Sequence, residues 1–195
     1  MQFLWPLVRR VLCLRRGRMP PARLSDPLWY FAFGGNMNEQ IFRERRHMTP
    51  VESCVGRLPD YRLVFTQAGG MQPGKSAPAN IVNAPGNAVY GVLYLLPLRD
   101  FARLDNSEGK QYDYLWVDVI NDAGKRIRAL TYTVPIAAPE GRPGPRYLKT
   151  IRDAARQRGF PAQYIDFLGR IESRYWRTTP SPPAGTTRGC PGLAH

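Results

Sequence analysis

Two short stretches hold residue types that could do chemistry. The first, WYFAFGGNM from Trp29 to Met37, runs an apolar, mostly aromatic segment into two glycines and an asparagine. A strand that stops at two glycines and turns into a helix arranges successive backbone N–H groups around a concave corner, which suits an anion or developing negative charge. The second, LDNSEGKQYDY from Leu104 to Tyr114, sets Glu108 directly before a glycine between a short helix and a strand. A carboxylate there can point into a cavity and exchange protons with a bound molecule. Each stretch also has a plain reading: Gly34 and Gly35 as the means to a tight turn, Glu108 as a solvated loop residue.

The elements that would position these stretches follow from periodicity. Leu28 to Phe33 has the length and aromatic content of a buried strand. Asn38 offers an N-cap to a short basic helix carrying Ile41, Phe42, Arg45 and Arg46. Val55 to Phe65 reads as a strand with a break at Pro59 and Asp60, and 69–78 as a loop. The runs 79–82 and 89–96 flank NAPGN, which predicts a hairpin. Residues 97–106 form a short helix with Phe101 and Leu104 on one side. Tyr114 to Ile120 and Arg126 to Val134 alternate cleanly around NDAGK, a second hairpin. Pro145 opens a helix that Gly159 ends, and Pro161 opens another through Ile171. Strands in the middle and helices at the end predict an α+β domain built on a small mixed β-barrel or strongly curved sheet flanked by helices.

Taken together, the two stretches resemble the gamma-glutamylcyclotransferase family, also described as AIG2-like. Its signature is a YGSN loop followed by Leu or Met, with a catalytic Glu in an LDxxEG context. The matching residues here are Phe33, Gly34, Gly35, Asn36 and Met37, then Leu104, Asp105, Glu108 and Gly109. The resemblance extends through VYGVLYLL from Val89, TYTVP around Tyr132, PGPRYLKTI with Tyr147, and GFPAQYIDFL. It spans about Leu28 to Glu172 in order.

The resemblance implies a compact barrel and an enzyme that cyclises a gamma-glutamyl amino acid or amine to 5-oxoproline, releasing the free amine, with no metal or cofactor. It assigns Glu108 as general acid and base, and Phe33, Gly34, Gly35, Asn36, Met37, Tyr114, Tyr132 and Tyr147 to substrate binding. The segment after Gly109 is about one residue short, so Tyr112 competes with Tyr114 for its role. Phe33 and Gly35 replace the family's Tyr and Ser, which removes a phenol and a hydroxyl and motivates an alternative: a non-catalytic module that keeps the pocket for a small anion. Which gamma-glutamyl amide is the substrate is left open, as is dimerisation, with which the sequence is compatible.

Composition narrows the remaining classes. Of the net charge of +13, five positive charges fall in residues 1–19 and three in 173–195, neither of which holds an acid, so the 153 residues between carry +5. The basicity belongs to the ends, and the middle lacks the aromatic-plus-basic pattern of a single-strand binder, so no nucleic-acid partner is expected. No apolar run reaches about 18 residues, which argues against a membrane helix. Cys13, Cys54 and Cys190 form no CxxC pair and make no familiar metal site with His47 and His195. A reducing, cytoplasmic setting is expected.

Residues 27–175 are expected to form the domain. The basic extension 1–26 reads as lying outside the fold; it is compatible with a transit peptide, and Met19 competes with Met1 as the start. Residues 176–195, rich in Pro and Gly, read as a disordered tail.

Overall fold

The computed structural model describes residues 27–66, 76–108, 112–134 and 140–173. The expected basic extension, the Pro/Gly-rich tail and Gly109 lie outside them. Five strands close into a barrel in the order β1-β3-β2-β4-β5: β1 Pro27–Ala32, β2 Glu52–Phe65, β3 Ala79–Pro97, β4 Asp113–Asn121 and β5 Arg126–Thr133. The pairs β1–β3, β3–β2, β2–β4 and β4–β5 are antiparallel, while β1 meets β5 in parallel through Tyr30 and Leu130. Helices α1 Leu98–Ser107, α2 Pro145–Gln157 and α3 Ala162–Arg170 complete the α+β fold. Among the described residues no helix is long and apolar enough to cross a membrane.

Both faces of β1 are covered, which explains why its sequence is continuously apolar instead of alternating. Tyr30, Phe31 and Ala32 are all buried. Tyr30 packs on Phe42, Phe101 and Tyr132, while Phe31 occupies space left by a glycine of β3. That glycine, Gly91, stands opposite Gly56 in the β2–β3 ladder. A methyl on Gly56 would lie 2.5 Å from Val119 Cγ1 and 3.1 Å from Leu93, and one on Gly91 would lie 2.6 Å from the Phe31 ring. The paired glycines let a narrow barrel close around its aromatic filling.

The hairpin expected at NAPGN is not one. Ala79 to Pro97 is a single strand, and both of its halves pair with β2: Val89 with Leu58, and Asn83 with Tyr61. The extra residues between them form a bulge opposite Asp60. Asp60 adopts positive φ, its Oδ1 accepting the N–H of Gly86, itself at φ +79°. Pro and Gly signalled a change of direction, but here they absorb a local excess of chain within one ladder. The second expected hairpin is present, with Gly124 at φ +76° in the turn between β4 and β5.

A buried side chain closes the seam where β3 starts and β5 ends. Asn80 accepts the Val134 N–H at Oδ1 (3.0 Å) and donates from Nδ2 to the Val134 carbonyl (3.2 Å), acting as a strand edge would. The Thr133 hydroxyl also donates to Asn80 Oδ1 at 3.0 Å.

Candidate active site

At Gly34 the chain leaves β1 with φ −120° and ψ −141° and enters a single 3₁₀ turn over Gly35–Met37. The Met37 N–H donates to the Gly34 carbonyl and the Asn38 N–H to that of Gly35. In such a turn the first N–H groups have no partner inside it. The Gly35 N–H meets the Tyr147 hydroxyl, which leaves the Asn36 N–H as the open amide of the corner. Met37 differs from expectation. Its amide is spent within the turn, its side chain is buried, and its carbonyl accepts the Tyr94 hydroxyl at 3.3 Å, so it anchors the corner without lining the cleft.

Glu108 follows α1 as its C-cap, its N–H donating to the carbonyls of Leu104 and Asp105. Its side chain is 14% exposed and meets two partners. Asn36 Nδ2 donates to Glu108 Oε1 at 3.3 Å and to the Tyr30 hydroxyl at 3.0 Å. The Arg46 guanidinium approaches the same carboxylate oxygen at 3.3 Å. The asparagine of the glycine corner and the glutamate of the second stretch, 72 residues apart, thus face one cleft of about 390 Å³.

Phe33, Gly34, Gly35, Asn36, Glu108, Tyr132 and Tyr147 all line that cleft. Of the two competing tyrosines, Tyr112 lines it and Tyr114 does not; Tyr114 packs its ring on Phe101 and Tyr132. Both rings pack on Tyr132, as residues two apart on one strand face should, but Tyr112 lies just before β4 at the opening while Tyr114 sits one pair deeper and is buried against Phe101. Tyr132 donates to buried Asp105 at 3.2 Å. Burial, then the Asp105 charge, raises the Tyr132 phenol well above its ordinary value. Burial and the Glu108 charge do the same to Tyr30, and burial to Tyr147. These phenols stay protonated at neutral pH and act as hydrogen-bonding walls, not bases.

Tyr147 comes from the first turn of α2, and its hydroxyl accepts the Ala79 N–H at 3.2 Å. A Cβ on Gly34 would sit 2.8 Å from that hydroxyl and 3.3 Å from the Ala79 Cβ; on Gly35 it would sit 3.1 Å from the Tyr147 ring. Gly34 is the tighter of the two, because the Tyr147 hydroxyl lies directly against it; at Gly35 the ring would have to give by only a few tenths of an ångström. Gly34→Ala is expected to cost about 1–3 kcal/mol, read as a lower Tm. Because the clash is with the hydroxyl, the same substitution in a Tyr147→Phe background should cost less than half as much. Equal costs in the two backgrounds would contradict this coupling.

Arg46 has no counterpart among the predicted site residues. The expected regular helix is instead a π-turn over Ile41–Arg45, in which the Arg46 N–H donates to the Ile41 carbonyl. Phe42 is buried against Tyr94, with ring centroids 4.1 Å apart. The wider turn shifts the following residue, so Arg46 lines the cleft while Arg45 is exposed. The three arginines of RERR carry no local signal that singles one out.

Comparison with known proteins agrees with this geometry. The family model for the AIG2-like family matches residues 88–168. Human gamma-glutamylcyclotransferase is 32% identical over 158 residues, covering 76% of this chain and 80% of the human protein. The mouse gamma-glutamylcyclotransferase is 30% identical, covering 78% and 83%. A solved gamma-glutamyl cyclotransferase structure superposes with a TM-score of 0.69 at 27% identity, covering 80% of this chain and 94% of the other. At these identities and over these shares of the chains, this protein belongs to the gamma-glutamylcyclotransferase family of enzymes.

Proposed function

We propose that this enzyme cyclises a gamma-glutamyl amide to 5-oxoproline and a free amine, with Glu108 as general acid and base. The α-amine attacks the side-chain carbonyl carbon of its own glutamyl unit. One C–N bond closes the five-membered ring, and the C–N bond to the departing amine breaks. The attacking ammonium must lose two protons to become the ring N–H: Glu108 takes one and delivers it to the leaving nitrogen, so its own protonation state is restored, and the other passes to solvent and is balanced when the released amine is protonated there. The open Asn36 amide, beside the Gly35 amide and the Tyr147 hydroxyl that meets it, holds the substrate's carboxylate or the carbonyl oxygen as it becomes negative. Holding the chain coiled supplies the proximity on which a ring closure depends.

The observation that carries this reading is the contact between Asn36 Nδ2 and Glu108 Oε1, which sets the proton-transfer group beside the anion-binding corner. Incubation with gamma-glutamyl-alanine and chromatography for 5-oxoproline tests it. Absence of product across a panel of gamma-glutamyl amides would instead favour a binding module.

Phe33 lines the same cleft and stands where the YGSN signature has its Tyr. Phe33→Tyr leaves Gly35 and Tyr147 untouched and supplies one hydroxyl, worth about 1 kcal/mol where it meets the substrate. Turnover of gamma-glutamyl-alanine is expected to rise several-fold. Unchanged or lower turnover in a variant with unaltered Tm would mean that the pocket suits a different amide.

A further inference from the structure

We infer that the Arg46 guanidinium is the subsite for a carboxylate on the leaving amine, and so sets a preference for gamma-glutamyl α-amino acids over gamma-glutamyl alkylamines. The inference rests on the cyclisation reading above. Among the described residues lining the cleft, Arg46 is the one cation and Glu108 the one anion. Its side chain is 29% exposed against 14% for Glu108, so Arg46 is the more open of the two. The departing amine must leave toward solvent, and on this inference its substituents pass the more open of these two groups.

Charge makes the same point. A gamma-glutamyl α-amino acid carries two carboxylates and one ammonium, a net charge of −1, and must sit beside Glu108, also −1. Arg46 offsets that second negative charge. A gamma-glutamyl alkylamine has no net charge and no carboxylate at the leaving end. Its one carboxylate shares a carbon with the ammonium, so it stays with the Glu108 end of the substrate, next to the glycine corner and its open Asn36 amide.

Arg46 is also held ready. One nitrogen donates to the Ser107 Oγ and another approaches Glu108, which occupies two of the five N–H donors that a guanidinium presents in a planar fork. The backbone around it is pinned to α1. The Thr49 N–H and hydroxyl donate to buried Asp100 at 3.1 and 2.6 Å, and Arg103 donates to the His47 carbonyl at 3.1 Å. A preset fork loses little freedom on meeting a carboxylate.

The test compares kcat/KM for gamma-glutamyl-alanine and gamma-glutamyl-ethylamide in wild type, Arg46→Gln and Arg46→Lys, with Tm as the check on folding. The ratio of the two substrates is the measurement, because any effect of Arg46 on Glu108 is common to both. Wild type is expected to favour gamma-glutamyl-alanine by about 10- to 100-fold, the scale of one charge-assisted hydrogen-bonded pair. Arg46→Gln should bring the ratio close to one, and Arg46→Lys, which keeps the charge without the fork, should retain part of it. An unchanged ratio in Arg46→Gln, or an equal fall on both substrates, overturns the inference and leaves Arg46 as a support for Glu108. Should wild type form 5-oxoproline from neither compound, the cyclisation reading fails. The subsite is then judged by calorimetric affinities of the same two compounds, where equal binding overturns it and a preference lost in Arg46→Gln sustains it.

Discussion

Glu108→Gln is expected to lower kcat by at least about 10³ while leaving substrate affinity nearly unchanged. The structure makes this substitution unusually clean. A glutamine in the same rotamer keeps an oxygen that can accept from Asn36 Nδ2 and from Arg46, the two groups that meet the carboxylate. Arg46 also keeps its contact with Ser107. The Gly35–Asn36 corner belongs to a different segment, fixed by the turn bonds to the Gly34 and Gly35 carbonyls. What the amide lacks is the ability to accept a proton near neutral pH. That single loss affects both halves of the reaction, because the same group receives the proton from the attacking nitrogen and supplies one to the departing nitrogen. The measurement is single-turnover release of 5-oxoproline, paired with calorimetric binding of gamma-glutamyl-alanine. A variant with more than about a tenth of wild-type turnover would rule out Glu108 as the proton-transfer group, given the usual contribution of such groups.

Gly91→Ala is expected to be the most damaging single-methyl change in the barrel. The added Cβ would overlap the Ala32 carbonyl oxygen and lie 2.6 Å from two carbons of the Phe31 ring. Neither obstacle can yield cheaply. The carbonyl belongs to the backbone of β1, and the ring is fully buried. Overpacking of this kind costs up to about 3 kcal/mol, which for a domain of this size lowers Tm by roughly 6–12 °C. Because β1 runs directly into Gly34, any shift of Ala32 is transmitted to the anion-binding corner, and activity should fall along with stability. Gly169 in α3 provides the contrast. A methyl there meets nothing within 4 Å, so Gly169→Ala should be neutral or stabilise by up to about 1 kcal/mol. If thermal unfolding gave similar values for the two substitutions, close approach of β3 to β1 would not be the reason for Gly91.

Much of this protein was legible without coordinates because the relevant signals act over a few neighbouring residues. The apolar run into Gly34 and Gly35 marks a strand ending in a corner, since glycine is the residue that most readily takes a tight turn there. Pro145 and Gly159 bracket α2, and Gly159 stands at φ +66° where the helix ends. The turn at NDAGK has its glycine at positive φ for the same local reason. Glu108 and the glycine corner could be named as candidates, because the chemistry of each is written in its own short stretch.

The tertiary structure decided which of these pieces meet, and it did so through burial and strand pairing, neither of which is a property of a short window. NAPGN is a bulge and not a turn because both halves of β3 find their partners on β2. Tyr112 lines the cleft and Tyr114 is buried because β4 starts between them, leaving the first at the opening and the second one step deeper on the same face. Arg46 lines the cleft because Phe42 must be buried against Tyr94 and the π-turn that allows this displaces the next residue. Asn36 reaches Glu108 across 72 residues of sequence because closing the barrel brings the end of β1 against the end of α1. The sequence determined the chemical groups and the local bends that carry them; their juxtaposition came from satisfying one shared core, which no local pattern encodes.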